Sequence, residues 1–169
     1  MPILWEKVIQ MAINISSSSR GVAGSLSNFA PHPFIFDGVT CNSMEGFLQS
    51  LKFENPDMQV HVASLVGRKA KFKGKKKKWY VTQTLYWQGV AYSRESAAYT
   101  KLIERAFDAY GQNSKVKKIL LSTNNATFEH SMGKRKKSET ILTRSEFVGN
   151  LTRVRTNLQK QQEAEKQAN

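Results

Sequence analysis

The sequence predicts an α+β domain, mostly helical with a few short strands, on three observations. Several segments repeat apolar residues at helical spacing. Between them lie brief β-branched or aromatic stretches of strand length, one of them carrying an Asp-Gly turn signal. No internal repeat interrupts the pattern, and 169 residues suit one domain that buries roughly 70% of the surface of its unfolded chain. Residues 1–158 are read as this domain, with 159–169 as a tail that frays for want of apolar periodicity.

Along the chain, Trp5 to Ile15 is rich in β-branched and apolar residues and reads as one or two extended segments. Ser16 to Ser27 is a Ser/Gly loop. Phe34 to Thr40 reads as a hairpin turning at Asp37-Gly38, its approach kept extended by Pro31 and Pro33. A helix then starts at Asn42 or Ser43, with Glu45 three residues after Asn42 as a capping box requires. Met44, Phe47, Leu48 and Leu51 form its core face, and Pro56 stops it. A second helix is predicted over about 57–69, with Met58, Val62, Leu65 and Val66 inward.

Residues 71–78 are too charged and Gly-interrupted to assign, and Trp79 to Tyr92 leaves strand and loop both open. A long helix is predicted from Ser93 to Gly111, burying Tyr99, Leu102, Ile103, Ala106, Phe107 and Tyr110, with Gly111 as its stop. A short helix at 115–122, a brief strand at Thr127 to Glu129 and a basic loop at 133–137 follow. Thr143 and Glu146 form another capping box, opening a last helix that buries Phe147, Val148, Leu151, Val154 and Leu158.

Charge narrows the partners. Twenty-six Lys and Arg against thirteen Asp and Glu leave a formal net charge of +13, a field that draws nucleic acid, nucleotides or other polyanions. Cys41 is the only cysteine, which rules out an intrachain disulfide and fits a reducing compartment. The first residues carry charge where a signal core would be apolar, and the apolar run at 8–15 is too short to span a bilayer. The expected location is cytoplasmic, with no membrane partner. His32, His61 and His130 lack the spacing and cysteine company of a zinc site, so neither metal nor cofactor is expected. A P-loop, a dinucleotide fingerprint and a nucleophile elbow are all missing from the sequence. The oligomeric state is not legible.

Four combinations remain. Leu26-Ser27-Asn28-Phe29 is a small polar loop with a rigid exit at Pro31. Glu45, Gln49 and Lys52 share one helix face; the seven residues from Glu45 to Lys52 make nearly two turns, about 10 Å, so both long side chains can meet one substrate. Leu85-Tyr86-Trp87 offers aromatic rings, and Phe128-Glu129-His130 a carboxylate and an imidazole. On spacing alone, Glu45 reads as a capping-box partner, Lys52 as a solvated lysine and Trp87 as core.

In this order, these stretches resemble the NADAR family (the NAD- and ADP-ribose-associated proteins, including YbiA-like ones). Leu26-Ser27-Asn28-Phe29 is similar to the family's L-S-N-F, with Ile15-Ser16-Ser17 ahead of it. Ser43 to Phe53, reading S-M-E-G-F-L-Q-S-L-K-F, is similar to its S-E-H-Y-F-Q-A-x-K-F helix, with Gly46 where the family often has histidine. Gly67-Arg68, Trp87, Leu120-Leu121-Ser122-Thr123, Phe128-Glu129-His130 and 147–155 resemble later blocks. The family's aspartate and W-G after its L-V-E strand are replaced by Ser131 to Lys137, and Lys75 to Lys78 are extra.

The resemblance implies a YbiA-like fold and cleavage of an N-glycosidic bond to ribose. It implies catalytic roles for Glu45, Lys52 and Glu129, and substrate contacts from Ser17, Ser27, Asn28, Phe29, Gln49, Arg68, Trp87 and His130. The substrates it implies are ADP-ribosylated guanine in nucleic acid or a phosphorylated ribosyl small molecule of riboflavin synthesis; a non-catalytic ADP-ribose or nucleic-acid binder is a third reading. The basic runs, Lys73, Lys75, Lys76, Lys77 and Lys78 in one and Lys134, Arg135, Lys136 and Lys137 in the other, read as a track for a phosphate backbone, with Phe72, Trp79 and Tyr80 available for stacking. They favour the polymer.

Overall fold

The computed structural model describes residues 11–169. The part of the predicted extended segment up to residue 10 lies outside the described residues. Among the described residues, three two-stranded sheets sit among eight α-helices. β1 (Ala12–Asn14) pairs in parallel with β6 (Thr127–Glu129), bringing chain regions more than a hundred residues apart together. β2 (Phe34–Phe36) and β3 (Val39–Cys41) form the predicted hairpin, with Asp37 and Gly38 both at positive φ as its tight turn requires. β4 (Thr84–Trp87) and β5 (Val90–Ser93) form a second hairpin in the stretch that periodicity left open.

The helices are α1 (Gly21–Ser25), α2 (Met44–Ser50), α3 (Pro56–Ala63), α4 (Arg68–Lys75), α5 (Trp79–Thr82), α6 (Ala97–Tyr110), α7 (Ser114–Ser122) and α8 (Arg144–Ala168). Among the described residues no helix is long and apolar enough to cross a membrane. The six predicted positions of α6 are all buried, and so are Phe147, Leu151, Val154 and Leu158 of α8. Each such large apolar side chain contributes about 1.5–3 kcal/mol by leaving water. Phe47 of α2 lies at the centre, edge-on to Phe36 (5.3 Å) and to Trp87 (5.2 Å), and Trp87 in turn stacks on Phe36.

Four expectations are corrected. Ser43, not Asn42, caps α2 through its hydroxyl, which accepts from the Gly46 amide; Glu45 is thereby released from any capping box. Pro56 does not stop α2, which ends at Ser50; it opens α3 at the position where a missing N–H costs nothing. The helix expected over 57–69 ends at Ala63; residues 64–67 turn the chain, Gly67 taking a φ of +58° that a side chain would resist, and α4 restarts at Arg68. The tail expected to fray stays helical to Ala168: Gln, Lys, Glu and Ala are strong helix formers, and the anchored turns before them have already met the cost of nucleation.

α2 and the end of α3 touch backbone to backbone. The Asn42 amide donates to Ala63 O (2.9 Å) and the Ser43 hydroxyl to Leu65 O (2.9 Å). A Cβ on Gly46 would lie 2.5 Å from Leu65 O and 2.7 Å from Ala63 O, so no side chain fits there. Gly46→Ala is expected to lower unfolding free energy by about 1–3 kcal/mol in a urea titration, because backbone oxygens cannot swing aside.

Candidate active site

A cleft of about 390 Å³ opens where α2, the Ser-rich loop, α4, α5 and the segment 130–142 converge. A roomier groove of about 690 Å³ beside β1 is lined by small, apolar and amide side chains with no acid or base, so it offers no chemistry. Of the titratable groups that the sequence pointed to, the smaller cleft holds Glu45, Lys52, His130 and Lys134.

Its floor is α2. The Glu45 amide donates to Asn28 O (2.9 Å), which ties the start of α2 to the L-S-N-F loop. The Ser27 hydroxyl accepts from the Phe29 amide, setting the loop's turn. One turn on, Gln49 Nε2 donates to Glu45 Oε1 at 2.8 Å and fixes that carboxyl. α4 comes so close that a Cβ on Gly74 would collide with the Gln49 amide. Lys52 lies just past the helix end, yet its amide still bonds Gln49 O, so its side chain keeps the face of Glu45.

Glu45 and Lys52 both line the cleft without forming an ion pair; the three ion pairs among the described residues lie elsewhere. Burial raises the Glu45 carboxyl above its ordinary range, against the opposing pull of the Gln49 hydrogen bond and the Lys52 and Lys71 charges. Burial likewise lowers the Lys52 ammonium; Glu45 resists this, while Lys71 and Lys134 add to it. Both groups are pushed towards their neutral forms, which brings an acid and an amine closer in proton affinity.

The far wall is contributed by the second half of the chain. His130 Nδ1 lies 2.8 Å from Ile15 O; a carbonyl only accepts, so Nδ1 carries the proton and Nε2 is left as an acceptor in the neutral ring. Its ring packs edge-on to Phe147 at 5.0 Å. Arg144 donates to Gly133 O and Ser131 O, both at 2.8 Å, and clamps the loop that follows His130. Thr140, Ile141 and Leu142 complete the wall. Arg94, 1% exposed, holds that segment through Thr140 O (2.8 Å) and a bidentate pair with Glu146, while Tyr99 donates to Ile141 O (2.6 Å).

Of the residues singled out in the sequence, Ser17, Ser27, Asn28, Phe29, Glu45, Gln49, Lys52, His130 and Lys134 line this one cleft. Trp87 does not: it is buried in the aromatic core, its indole N–H donating to Asp37 Oδ2 at 2.9 Å. Glu129 is exposed at the end of β6, and Arg68 is exposed at the start of α4, both off the cleft lining. Lys73, Lys75, Lys76, Lys77, Lys78, Arg135, Lys136 and Lys137 lie outside the lining, on the segments that flank it. Trp79, expected only as a stacking group of the basic run, lines the cleft from α5, and so does Lys71 from α4, which the sequence did not single out and which holds its ammonium 5.9 Å over the Phe29 ring. Two buried acceptors on the wall, Asn28 Oδ1 and Gln49 Oε1, receive no hydrogen bond from the described residues.

Comparison with known proteins agrees with this fold. Residues 20–156 match the family described as bacteriophage protein GP30.3. An uncharacterised 17.1 kDa protein of the Gp30-rIII intergenic region of Enterobacteria phage T4 is 35% identical over 149 residues, covering 86% of this chain and 98% of its own. The NMR structure of the E. coli protein YbiA shares the fold, with a TM-score of 0.61 at 18% identity over 90% of this chain and 88% of that one. The chain belongs to the bacteriophage GP30.3 family, a NADAR-type family.

Proposed function

We propose that the cleft hydrolyses an N-glycosidic bond to ribose, and that its substrate is ADP-ribose carried on guanine in nucleic acid. One observation carries the reading: Glu45 and Lys52 face a common space, unpaired, with burial disfavouring the charge of each. As the base departs with the bonding electron pair, the anomeric carbon gains positive character, which the Glu45 carboxylate stabilises. The neutral Lys52 amine bonds to that carbon, and as the bond from C1 to the ring oxygen breaks, an amine proton passes to that oxygen, which gives a ring-opened protonated imine. Water then hydrolyses the imine, and lysine and sugar are restored. Asn28 Oδ1 suits a ribose hydroxyl donor, and Trp79 supplies an apolar wall. Lys71 and Lys134 on the lining, with the basic segments beside them, favour a polyanionic substrate over a free phosphoribosyl metabolite.

The chemistry is testable by reductive trapping. With a guanine-ADP-ribosylated oligonucleotide and cyanoborohydride, intact-protein mass spectrometry is expected to show an ADP-ribosyl adduct mapping to Lys52. Lys52→Arg is expected to give none, because a guanidinium does not form the imine. Release of ADP-ribose without any adduct would rule out the imine and leave Lys52 at most a general acid.

A further inference from the structure

The outer face of α4 and α5 is a surface that the cleft chemistry does not use. Ala70 and Gly74 turn α4 inward against the body, which leaves Phe72, on the opposite side of the helix, 66% exposed. Tyr80 is 54% exposed and Val81 70%. These are large apolar groups left in water, and they sit in the most basic part of the chain. Eight cations fall between Arg68 and Lys78, and no acidic residue occurs between Asp57 and Glu95. Among the described residues none of the eight forms an ion pair. Lys75 holds its ammonium 5.7 Å from the Phe72 centroid, so a cation and an aromatic face are already presented side by side.

We infer that this face binds a single-stranded polynucleotide, with its lysines on the phosphates and Phe72 and Tyr80 stacking on unpaired bases. Charge complementarity selects a polyanion, and the two open rings select one whose bases are free to stack, which those of a duplex are not. The face adjoins the cleft through chain neighbours: Lys71 beside Phe72 and Trp79 beside Tyr80 both line it. A strand held here would deliver one nucleotide inward. That last step rests on the function proposed above; the binding itself does not.

The test is fluorescence anisotropy with unmodified probes: a labelled homopyrimidine deoxy strand, its ribo counterpart and a duplex, each titrated at several salt concentrations. Phe72→Ala and Tyr80→Ala, both at exposed positions, are expected to keep the wild-type melting temperature. Each is expected to weaken binding of the single strand about five- to a hundredfold and of the duplex less than about twofold. The double variant Lys73→Gln, Lys76→Gln is expected to lower the salt slope on single strands by about 1.4. Preference for either sugar supports the inference and identifies the source of the strand. Aromatic variants that bind single strands like wild type, or that lose as much on the duplex, would overturn it. A wild type that shows the expected pattern yet releases no ADP-ribose would sink the glycosidase reading and leave this surface standing.

Discussion

Glu45→Gln is expected to lower kcat/KM for ADP-ribose release by about 10²–10⁴-fold, the usual contribution of a positioned acid–base group. The change is nearly isosteric. The amide oxygen can still accept from Gln49 Nε2, and Ser43, not Glu45, caps α2, so neither the helix nor the cleft has reason to move. What disappears is the charge. In the wild type, activity is expected to fall on the acid side as Glu45 is protonated, with burial moving that fall above the ordinary carboxylate range. The variant is expected to lack this acid limb while binding substrate about as tightly. Steady-state rates across pH measure both effects, and a variant as fast as wild type removes Glu45 from the mechanism.

The largest stability effect is expected at Arg94. Its guanidinium, packed over the Tyr99 ring at 5.0 Å, is the buried hub that joins β5 to the cleft wall and to the first turn of α8. Arg94→Leu strands the Glu146 carboxylate and is expected to cost about 3–5 kcal/mol in denaturant unfolding. Combining it with Glu146→Leu is expected to restore part of that loss, because the stranded charge is then gone. The pH dependence has a definite sign. Burial acts to raise the Glu146 carboxyl, but the hydrogen bond from Arg94, those from Thr143 and the Arg94 charge outweigh it and hold the carboxyl below its ordinary value. The pair therefore contributes fully above the unfolded carboxylate's pKa and is lost as pH falls through the lower folded one. Wild-type stability is expected to drop across that acid window, and the drop to be smaller in Arg94→Leu. Loosening of 140–142 is also expected to slow turnover.

How much of this was legible follows the period of each segment. α6, α2 and the first half of α8 keep an apolar stripe at helical spacing, and the structure buries the positions it names apart from Val148, which is half-buried. The first hairpin was legible through Asp37-Gly38. α4 was not, because lysines mask its pattern: its inward face is only Ala70 and Gly74, small enough to let Gln49 pack against it. The two tryptophans show the same limit within the site. Trp79 and Trp87 both sit in aromatic stretches without a clear period, and only tertiary packing sends Trp79 to the cleft and Trp87 to the core. Glu45 was legible as a residue but not in its local role, since its spacing from Asn42 mimics a capping box that Ser43 pre-empts. The wall at 132–134 and 139–142 carries no motif; it reaches the cleft because β1 pairs with β6 and Arg94 and Arg144 tether it.

The most direct measurement is incubation of the wild-type protein with a guanine-ADP-ribosylated oligonucleotide, followed by mass spectrometry of the products. Free ADP-ribose and an oligonucleotide carrying intact, unmodified guanine are expected. An oligonucleotide that keeps its ADP-ribose, in a protein that binds it tightly, would contradict the account and make this cleft a reader of the modification.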